Sequence, residues 1–307
     1  MRKHLQLLLF MLPVGPLSLC AQNFTDGLMM PKGDLCTGFL YNQDQWKNYW
    51  EGTLKRENHN IGTITTQNVM WLGNYGVSDK VNIIAMLPYV KTKASEGVLS
   101  GMEGIQDLII GAKYNFLKKK MGSGELNSFV LGSYSVPLTD YTPDFLPLSI
   151  GLAAQQLSGR ITLNYKMEKG WYANATSAYT WRSNVTLDRA SYYTDGQIHN
   201  TNEVWMPNVI DFSFSAGYLK NSLNVFASYS QQSVLGGGDI RRQDMPFVSN
   251  RMNFSKVDIT TMYYLPKPKG LAVRALIGQT IAGRNVGQST YFMGGLLYTI
   301  HFAKTSN

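Results

Sequence analysis

The chain has 307 residues, of which 44% are hydrophobic and 12% are aromatic, while only 16% are charged. Its formal net charge is +8, but it has no dense basic block beyond Lys118–Lys120, so a nucleic-acid-binding face has little support. Low charge together with 29 glycines and 18 tyrosines is typical of an all-β protein with many turns and interfacial rings.

The first 21 residues have the pattern of an export signal. A basic start, an apolar run from Leu5 to Leu12 and a small-residue cleavage point after Ala21 match the three parts of such a signal. The alternative of a membrane-anchoring helix is disfavoured, because the run is short and Pro13 and Pro16 interrupt it. Residues 1–21 are therefore predicted to be removed, and residues 22–307 to form one domain.

The two cysteines predict a fold without disulfides. Cys20 leaves with the export signal, and Cys36 then remains as the single cysteine of the mature chain, which excludes an internal pair. Attachment of a lipid to Cys20 is the alternative, and the bulky Leu19 directly before it argues against that. One cysteine and scattered histidines also give no support for a metal site, and no cofactor is predicted.

Twelve stretches of the mature chain have the pattern of β-strands. Turn-forming residues separate them, and no apolar stretch of about 18 residues, as a membrane-spanning helix needs, follows the signal. The predicted strands cover 33–41, 63–74, 81–91, 105–116, 129–137, 160–167, 171–182, 209–218, 223–231, 257–265, 271–281 and 289–302. The polar lead before them, 22–32, is expected to be too short to plug a lumen, and Lys118–Glu125 is expected to form a turn segment.

The connections between these strands alternate in length. Those after the second, sixth, eighth and tenth strands are tight, whereas those after the first, fifth, seventh and ninth strands are long. A barrel in a bacterial outer membrane has short periplasmic turns and long outer loops, whereas a soluble sandwich has no reason to alternate so regularly. The pattern predicts an all-β fold, a transmembrane up-and-down antiparallel β-barrel of about 12 strands.

The side chains within the strands support the same prediction. In 105–116, apolar residues occupy one face and Asp107, Lys113 and Asn115 the other, because successive strand side chains point to opposite sides. A charge that faces the middle of the bilayer costs about 2–4 kcal/mol, so charged positions must face inward. The lumen-lining candidates are Asp107, Lys113, Arg160, Lys166, Arg182, Asp211, Asp258 and Arg274. They either select solutes or form ion pairs that fill a narrow barrel, and the sequence leaves both open.

Aromatic residues on the predicted lipid face fall near the ends of the strands. Tyr114, Trp171 and Tyr298 lie close to short turns, while Tyr89 and Trp181 lie close to long loops. Amphipathic rings settle at the two membrane–water interfaces. Ordinary enrichment of aromatic residues in strands does not predict two bands, so the pattern favours a membrane barrel.

Three stretches of the chain resemble known motifs. Tyr75–Asn82 with Leu87–Val90 is similar to the "YG-turn-D-[RK] … PY" hairpin, and Gly104–Tyr114 to the "G-x-x-D … G-x-K-Y" strand, of the meta-pathway-of-phenol-degradation family. Gly294–Phe302 resembles the last strand of outer-membrane barrels, whose terminal aromatic helps recognition by the barrel-assembly machinery, although Ala303–Asn307 follow it here. The family resemblance implies an outer-membrane barrel that is distantly similar to channels for fatty acids and aromatic hydrocarbons.

The resemblance implies a passive channel for small hydrophobic or aromatic molecules. The expected location is the outer membrane of a Gram-negative bacterium, and the expected partners are its lipids, the barrel-assembly machinery and a small-molecule solute, with no nucleic acid. The first strand begins soon after the signal, so gated uptake through an N-terminal plug, as in the fatty-acid channels, is not expected.

Two other function classes stay open at this stage. A structural or surface-interaction barrel would use the long loops to bind a partner, without transport. An outer-membrane hydrolase would need a histidine beside a serine or an acidic residue. His59 and His199 lie in predicted outer loops and His301 lies near the periplasmic end, so this class is disfavoured.

Overall fold

The computed structural model describes residues 23–302, apart from Asp195 and Gln243. The predicted export signal, 1–21, lies outside the described residues, as do the five residues after Phe302. Every regular element assigned in the described ranges is a β-strand. In this part of the chain, no helix has the length and apolar character needed to cross a membrane.

Within the described residues, twelve long strands form one antiparallel sheet that closes into a barrel. The first strand pairs with the second strand on one side and with the twelfth on the other, as closure requires. Because the sheet is closed, the backbone N–H and C=O groups of every strand find hydrogen-bond partners on neighbouring strands. The hydrocarbon layer of a membrane, which offers no such partners, requires this. The strands are β1 Asp34–Trp46, β2 Ile64–Ser78, β3 Val81–Ala94, β4 Asp107–Met121, β5 Gly124–Pro137, β6 Gln156–Met167, β7 Trp171–Arg182, β8 Val209–Lys220, β9 Leu223–Val234, β10 Asn253–Tyr264, β11 Leu271–Arg284 and β12 Thr290–His301. The predicted fold class and strand number are confirmed.

The connections define a short-turn end and a long-loop end of the barrel. Two or three residues join β2 to β3, β4 to β5, β6 to β7 and β8 to β9, whereas the loops after β1, β5, β7 and β9 are much longer. The chain turns within the predicted segment Lys118–Glu125, but the turn is confined to Gly122 and Ser123, because β4 and β5 stay paired up to these two residues. Gly122 has a φ of 59°, which a two-residue hairpin turn needs and glycine adopts without strain.

The inner and outer faces alternate along the strands as predicted. On β4, Ile110, Tyr114 and Phe116 are exposed on the outer face, whereas Asp107 and Lys113 are buried on the inner face. The outer face is therefore apolar and rich in rings, as contact with lipid requires.

Long loops pack together into a cap over the long-loop end. A buried cluster joins the loops after β5, β7 and β9, and its members are Ala154, Val185, Leu187, Tyr192, Val204, Met206, Phe247 and Val248. Short hairpins stiffen the cap, such as Asn48–Glu51 paired with Leu54–Glu57. The cap therefore has a hydrophobic core of its own.

Asn285 links three connections of the cap. Its Nδ2 donates to Asp239 Oδ1 at 2.7 Å and to the Arg251 carbonyl at 2.9 Å. Its Oδ1 accepts from the backbone N–H groups of Gly52 at 2.8 Å and Ile240 at 3.0 Å. The residue is buried and has a φ of 56°, a left-handed conformation that asparagine tolerates better than most residues. This side chain thus joins the loops after β1, β9 and β11.

Replacing Asn285 by alanine is expected to loosen the cap by about 1–3 kcal/mol. The hydrogen bonds of both amide atoms are lost, buried partners are left unpaired, and alanine is strained at this φ. Limited proteolysis of the folded protein should then cleave the loops after β1 and β9 faster than in wild type. Asn200→Ala, in an exposed part of the loop after β7, serves as the control. Equal cleavage rates in the Asn285→Ala variant and wild type would contradict the linking role.

Cys36 is disulfide-bonded, so the predicted fold without disulfides is wrong. Its side chain is fully buried on the inner face of β1. The prediction assumed that Cys20 leaves with the export signal, and Cys20 and the cleavage point lie outside the described residues.

Candidate functional site

Residues 23–30, the N-terminal segment, lie inside the barrel. Met30 is fully buried and packs with Leu40, Leu72 and other inward side chains near the short-turn end. Thr25 lies deeper and lines both cavities of the lumen. The prediction that this lead is too short to occupy the lumen is therefore wrong. Eight residues are enough because an extended chain spans about 3.3–3.6 Å per residue, and the segment enters directly from the end where β1 begins.

Lys113 holds the N-terminal segment in place. Its side chain is 1% exposed, and its Nζ lies 2.7 Å from Asp26 Oδ1. The same Nζ donates to the carbonyl oxygens of Asp26 at 2.6 Å and of Leu28 at 2.9 Å. It also lies 5.0 Å from the centroid of the Phe129 ring. Because an ammonium group has three donors, these contacts use all of them, and Lys113 faces the segment rather than an open lumen.

Other contacts place the remainder of the segment. Thr176 Oγ1 donates to the Thr25 carbonyl at 3.3 Å, and the Arg160 guanidinium carbon lies 5.8 Å from the centroid of the Phe24 ring. Gly27 packs directly on Asn164, since a Cβ at Gly27 would stand 2.3 Å from Asn164 Cγ. Only glycine fits there without a shift of the Asn164 side chain.

The N-terminal segment lies between two cavities of the lumen. The cavity toward the long-loop end has a volume of about 480 Å³, and the cavity toward the short-turn end has a volume of about 220 Å³. Most of their lining consists of hydroxyl and amide side chains. Some of these bond across the wall, as in the contacts Asn164–Asn174 at 2.7 Å, Asn174–Ser215 at 3.0 Å and Ser228–Asp258 at 2.5 Å.

The predicted charged positions separate into groups. Asp107, Arg160 and Asp211 line the larger cavity, and Lys166, Asp258 and Arg274 line the smaller one. Lys113 contacts the N-terminal segment, and Arg182 lies farther toward the long-loop end of β7. Their selection of solutes stays a prediction.

Cross-strand register places three of these charges on one line of paired positions that crosses five strands. Successive partners across β4 to β8 are Lys113, Leu131, Arg160, Ala178 and Asp211. The sequence pattern assigns each residue to the inner face, but it does not contain the register that aligns them.

Two arginines offer unused hydrogen-bond donors beside Asp211. Among the described residues, Arg160 Nη1 and Arg182 Nε are buried and have no hydrogen-bond partner. Asp211 interacts electrostatically with both guanidinium groups. Of these three side chains, Arg160 and Asp211 line the larger cavity, so Arg160 lies where a solute with a hydrogen-bond acceptor or a negative charge would pass.

Other charged side chains point inward from positions outside the predicted strands. Asp44 accepts a hydrogen bond from Ser289 at 2.8 Å, and Lys256 Nζ lies 4.5 Å from the centroid of the Phe254 ring. Both lie beyond the predicted ends of their strands. The alternation would have placed Lys256 inward, since it is two residues before the inward Asp258. Asp26 had no such signal, because it lies outside any strand.

The loop after β5 reaches the edge of the larger cavity. Tyr141 donates its hydroxyl proton to Asp107 Oδ1 at 2.6 Å and accepts from the Ala153 backbone N–H at 3.0 Å. Burial raises the pKa of Tyr141, and the bond to Asp107 raises it further, so the hydroxyl stays protonated and continues to donate.

The three histidines of the described residues lie away from both cavities. His301 Nδ1 lies 2.9 Å from Asp34 Oδ1, across the β1–β12 pair at the short-turn end. His199 stacks on the Tyr192 ring in the cap, and His59 is exposed in the loop after β1. In the described part of the chain, no three potential metal ligands come together.

Comparisons with known proteins give one family and a common architecture. The family model described as "Putative MetA-pathway of phenol degradation" matches residues 33–293. The COG4313 outer membrane channel from Pseudomonas putida F1 is 12% identical, with a TM-score of 0.68 over 92% of this chain and 100% of that chain. The NanC porin is 7% identical, with a TM-score of 0.45 over 84% of this chain and 98% of that one.

A deletion mutant of the TodX monoaromatic hydrocarbon channel is 9% identical, with a TM-score of 0.43 over 89% of this chain and 91% of that chain. A search of curated protein sequences gives no match. At these identities the likeness to solved structures is one of fold.

Proposed function

Because the chain belongs to the family described by the MetA pathway of phenol degradation, we propose that it is a channel for small aromatic molecules that carry a polar group. Its fold is that of an outer-membrane channel. The proposed location is the outer membrane of a Gram-negative bacterium, with the short turns in the periplasm.

The observation that carries this proposal is the pair of cavities on the two sides of the N-terminal segment. Thr25 lines both of them, so a solute that passes along the barrel axis meets this segment. The proposed route runs from the larger cavity, past Phe24 to Asp26, into the smaller cavity. The segment therefore controls the width of the route.

The lining favours aromatic solutes with a polar group over wholly apolar ones. Phe24 and Phe254 line the larger cavity, and Tyr172 and Phe226 line the smaller one, so each cavity offers rings. The surrounding hydroxyl and amide groups lose their hydrogen bonds to water if a purely apolar molecule displaces it. A ring that bears a hydroxyl or carboxylate group satisfies both parts of the lining.

We propose that the predicted lumen charges act as selectors. Arg160, which lines the larger cavity, is suited to a carboxylate or phenolate group, and Asp211 attracts both Arg160 and Arg182 electrostatically. The other charged positions keep the wall hydrated, which supports passive movement. The chain is proposed not to be an enzyme, and β12 with Tyr298 and Phe302 on its lipid face is the proposed signal for the barrel-assembly machinery.

Proteoliposome swelling tests the channel. Sodium benzoate is expected to enter faster than sodium gluconate, because the ring and the carboxylate both find partners in the larger cavity. Arg160→Gln should slow benzoate entry severalfold, because a charge-assisted hydrogen bond is worth about 1.5–3 kcal/mol. Arg242→Gln, in the exposed loop after β9, removes an equal charge and should leave the rate unchanged.

Two results would contradict the proposal. Equal rates of benzoate entry through wild type and the Arg160→Gln variant would show that Arg160 does not select solutes. No flux of any solute, in wild type and also in the Asp26→Ala variant discussed below, would end the channel proposal and favour a surface-interaction barrel.

A further inference from the structure

The two ends of the barrel carry opposite charge. The long-loop connections contain seven Lys and Arg residues against eleven Asp and Glu residues. At the short-turn end, by contrast, nine exposed lysines of the described chain stand against four carboxylates. The nine lysines, here called the lysine ring, are Lys32, Lys80, Lys118, Lys119, Lys120, Lys169, Lys220, Lys267 and Lys269. The four carboxylates are Asp34, Asp79, Glu125 and Glu168. The positive net charge of the mature chain is thus concentrated at one end.

The lysine ring is distributed around the whole circumference. Each short connection, from the β2–β3 turn to the β10–β11 turn, has a lysine in it or at the adjoining strand end, and Lys32 precedes β1. Two of the four carboxylates are already paired, since Glu125 lies 3.4 Å from Lys118 and Asp34 contacts His301. Most of the lysine charge is therefore available to a partner.

Lipid-facing rings lie directly beside the lysines. Trp171 and Tyr218 are register partners on β7 and β8, with ring centroids 5.2 Å apart. Tyr75 and Phe302 lie 6.4 Å apart near Lys80. Such rings mark the depth of the membrane–water interface, and lysines one or two residues farther out reach the level of the headgroups.

The turn at Gly170 brings two of the lysines close together. The Leu219 backbone N–H donates to the Gly170 carbonyl at 2.8 Å, and a Cβ at Gly170 would stand 3.0 Å from Lys220 Cβ. Lys169 and Lys220 therefore leave neighbouring turns, just beyond the Trp171–Tyr218 pair. Two ammonium groups above an aromatic pair suit a phosphate whose acyl chains lie along the rings.

We propose that the lysine ring binds anionic phospholipids of the periplasmic leaflet, and that Lys169 and Lys220 form a phosphate site for their headgroups. Each lysine near an anionic membrane surface adds roughly fivefold to the affinity. A lipid fits better than a soluble anionic partner because the lysines continue without a gap into the lipid-facing rings. The long-loop end has more carboxylates than basic residues, so it does not attract anionic headgroups.

Native mass spectrometry of the folded full chain in detergent tests the proposal. Equal amounts of phosphatidylglycerol and phosphatidylcholine are offered, and the bound lipid is counted for wild type and for the double variant Lys169→Gln, Lys220→Gln. Wild type should retain phosphatidylglycerol preferentially, and the double variant, which loses two such lysines, should bind it about 25-fold more weakly. Phosphatidylcholine binding should be unchanged.

Two matched variants complete the design. Lys55→Gln with Arg242→Gln removes two exposed charges from the long-loop end and should keep the preference for phosphatidylglycerol. Lys169→Arg with Lys220→Arg keeps both charges and should restore binding. Equal retention of phosphatidylglycerol by wild type and the Lys169→Gln, Lys220→Gln variant would overturn the proposal, as would an equal loss in the long-loop control.

Discussion

Asp26→Ala is expected to release the N-terminal segment from the lumen and to raise the single-channel conductance severalfold. The substitution leaves the Lys113 ammonium, 1% exposed in the wild type, without its carboxylate partner. Breaking a buried ion pair by removing one partner costs about 3–5 kcal/mol, because the remaining charge is uncompensated. Withdrawal of the segment relieves this cost, since water then reaches Lys113. Conductance in planar bilayers measures the opening directly.

A double variant, Asp26→Ala with Lys113→Met, separates the cost of the unpaired Lys113 charge from the loss of the Asp26–Lys113 contact. Asp26→Ala together with Lys113→Met leaves no uncompensated ammonium, so the barrel should unfold at a higher temperature than with Asp26→Ala alone. Glu168→Ala, which removes an exposed carboxylate at the short-turn end, should conduct like wild type. Wild-type conductance and wild-type unfolding temperature in Asp26→Ala would refute the anchoring role of Lys113.

An arginine at Phe214 is expected to destabilise the barrel by about 2–4 kcal/mol, whereas an arginine at the preceding Ser213 is expected to cost less than about 1 kcal/mol. Phe214 lies in the middle of β8 and is 54% exposed on the outer face, so its replacement puts a charge in the hydrocarbon layer. Ser213 points into the lumen and lines both cavities, where a charge meets water.

Folding into lipid vesicles, followed by urea titration, measures both free energies of unfolding. The pair is matched because one residue separates the two sites and the same side chain is introduced. Equal destabilisation by both substitutions would mean that the two faces of β8 see the same environment. The assignment of the outer face to lipid would then be wrong.

The sequence by itself determined the strands and their two faces. Alternation in 105–116 separates Ile110 and Tyr114 from Asp107 and Lys113, and the structure places these pairs on opposite faces. This works because a strand repeats every two residues and the bilayer penalises a charge on the wrong side. Alternating connection lengths fixed the up-and-down order for a similar local reason, because each hairpin is set by neighbouring residues.

Tertiary structure decided what happens inside the barrel and over its end. Asp26 and Lys113 are 87 residues apart in sequence, and no local pattern signals their contact. The same holds for the alignment of Lys113, Arg160 and Asp211, which depends on the register of five strands. Asn285 likewise gains its role only when three loops meet around it.

The physical reason is the range of the interactions. Side-chain alternation and turn chemistry act between residues close in the chain, so they can be read along it. Occupation of the lumen and packing of the cap depend on the space left when twelve strands close, and that space exists only in the folded barrel.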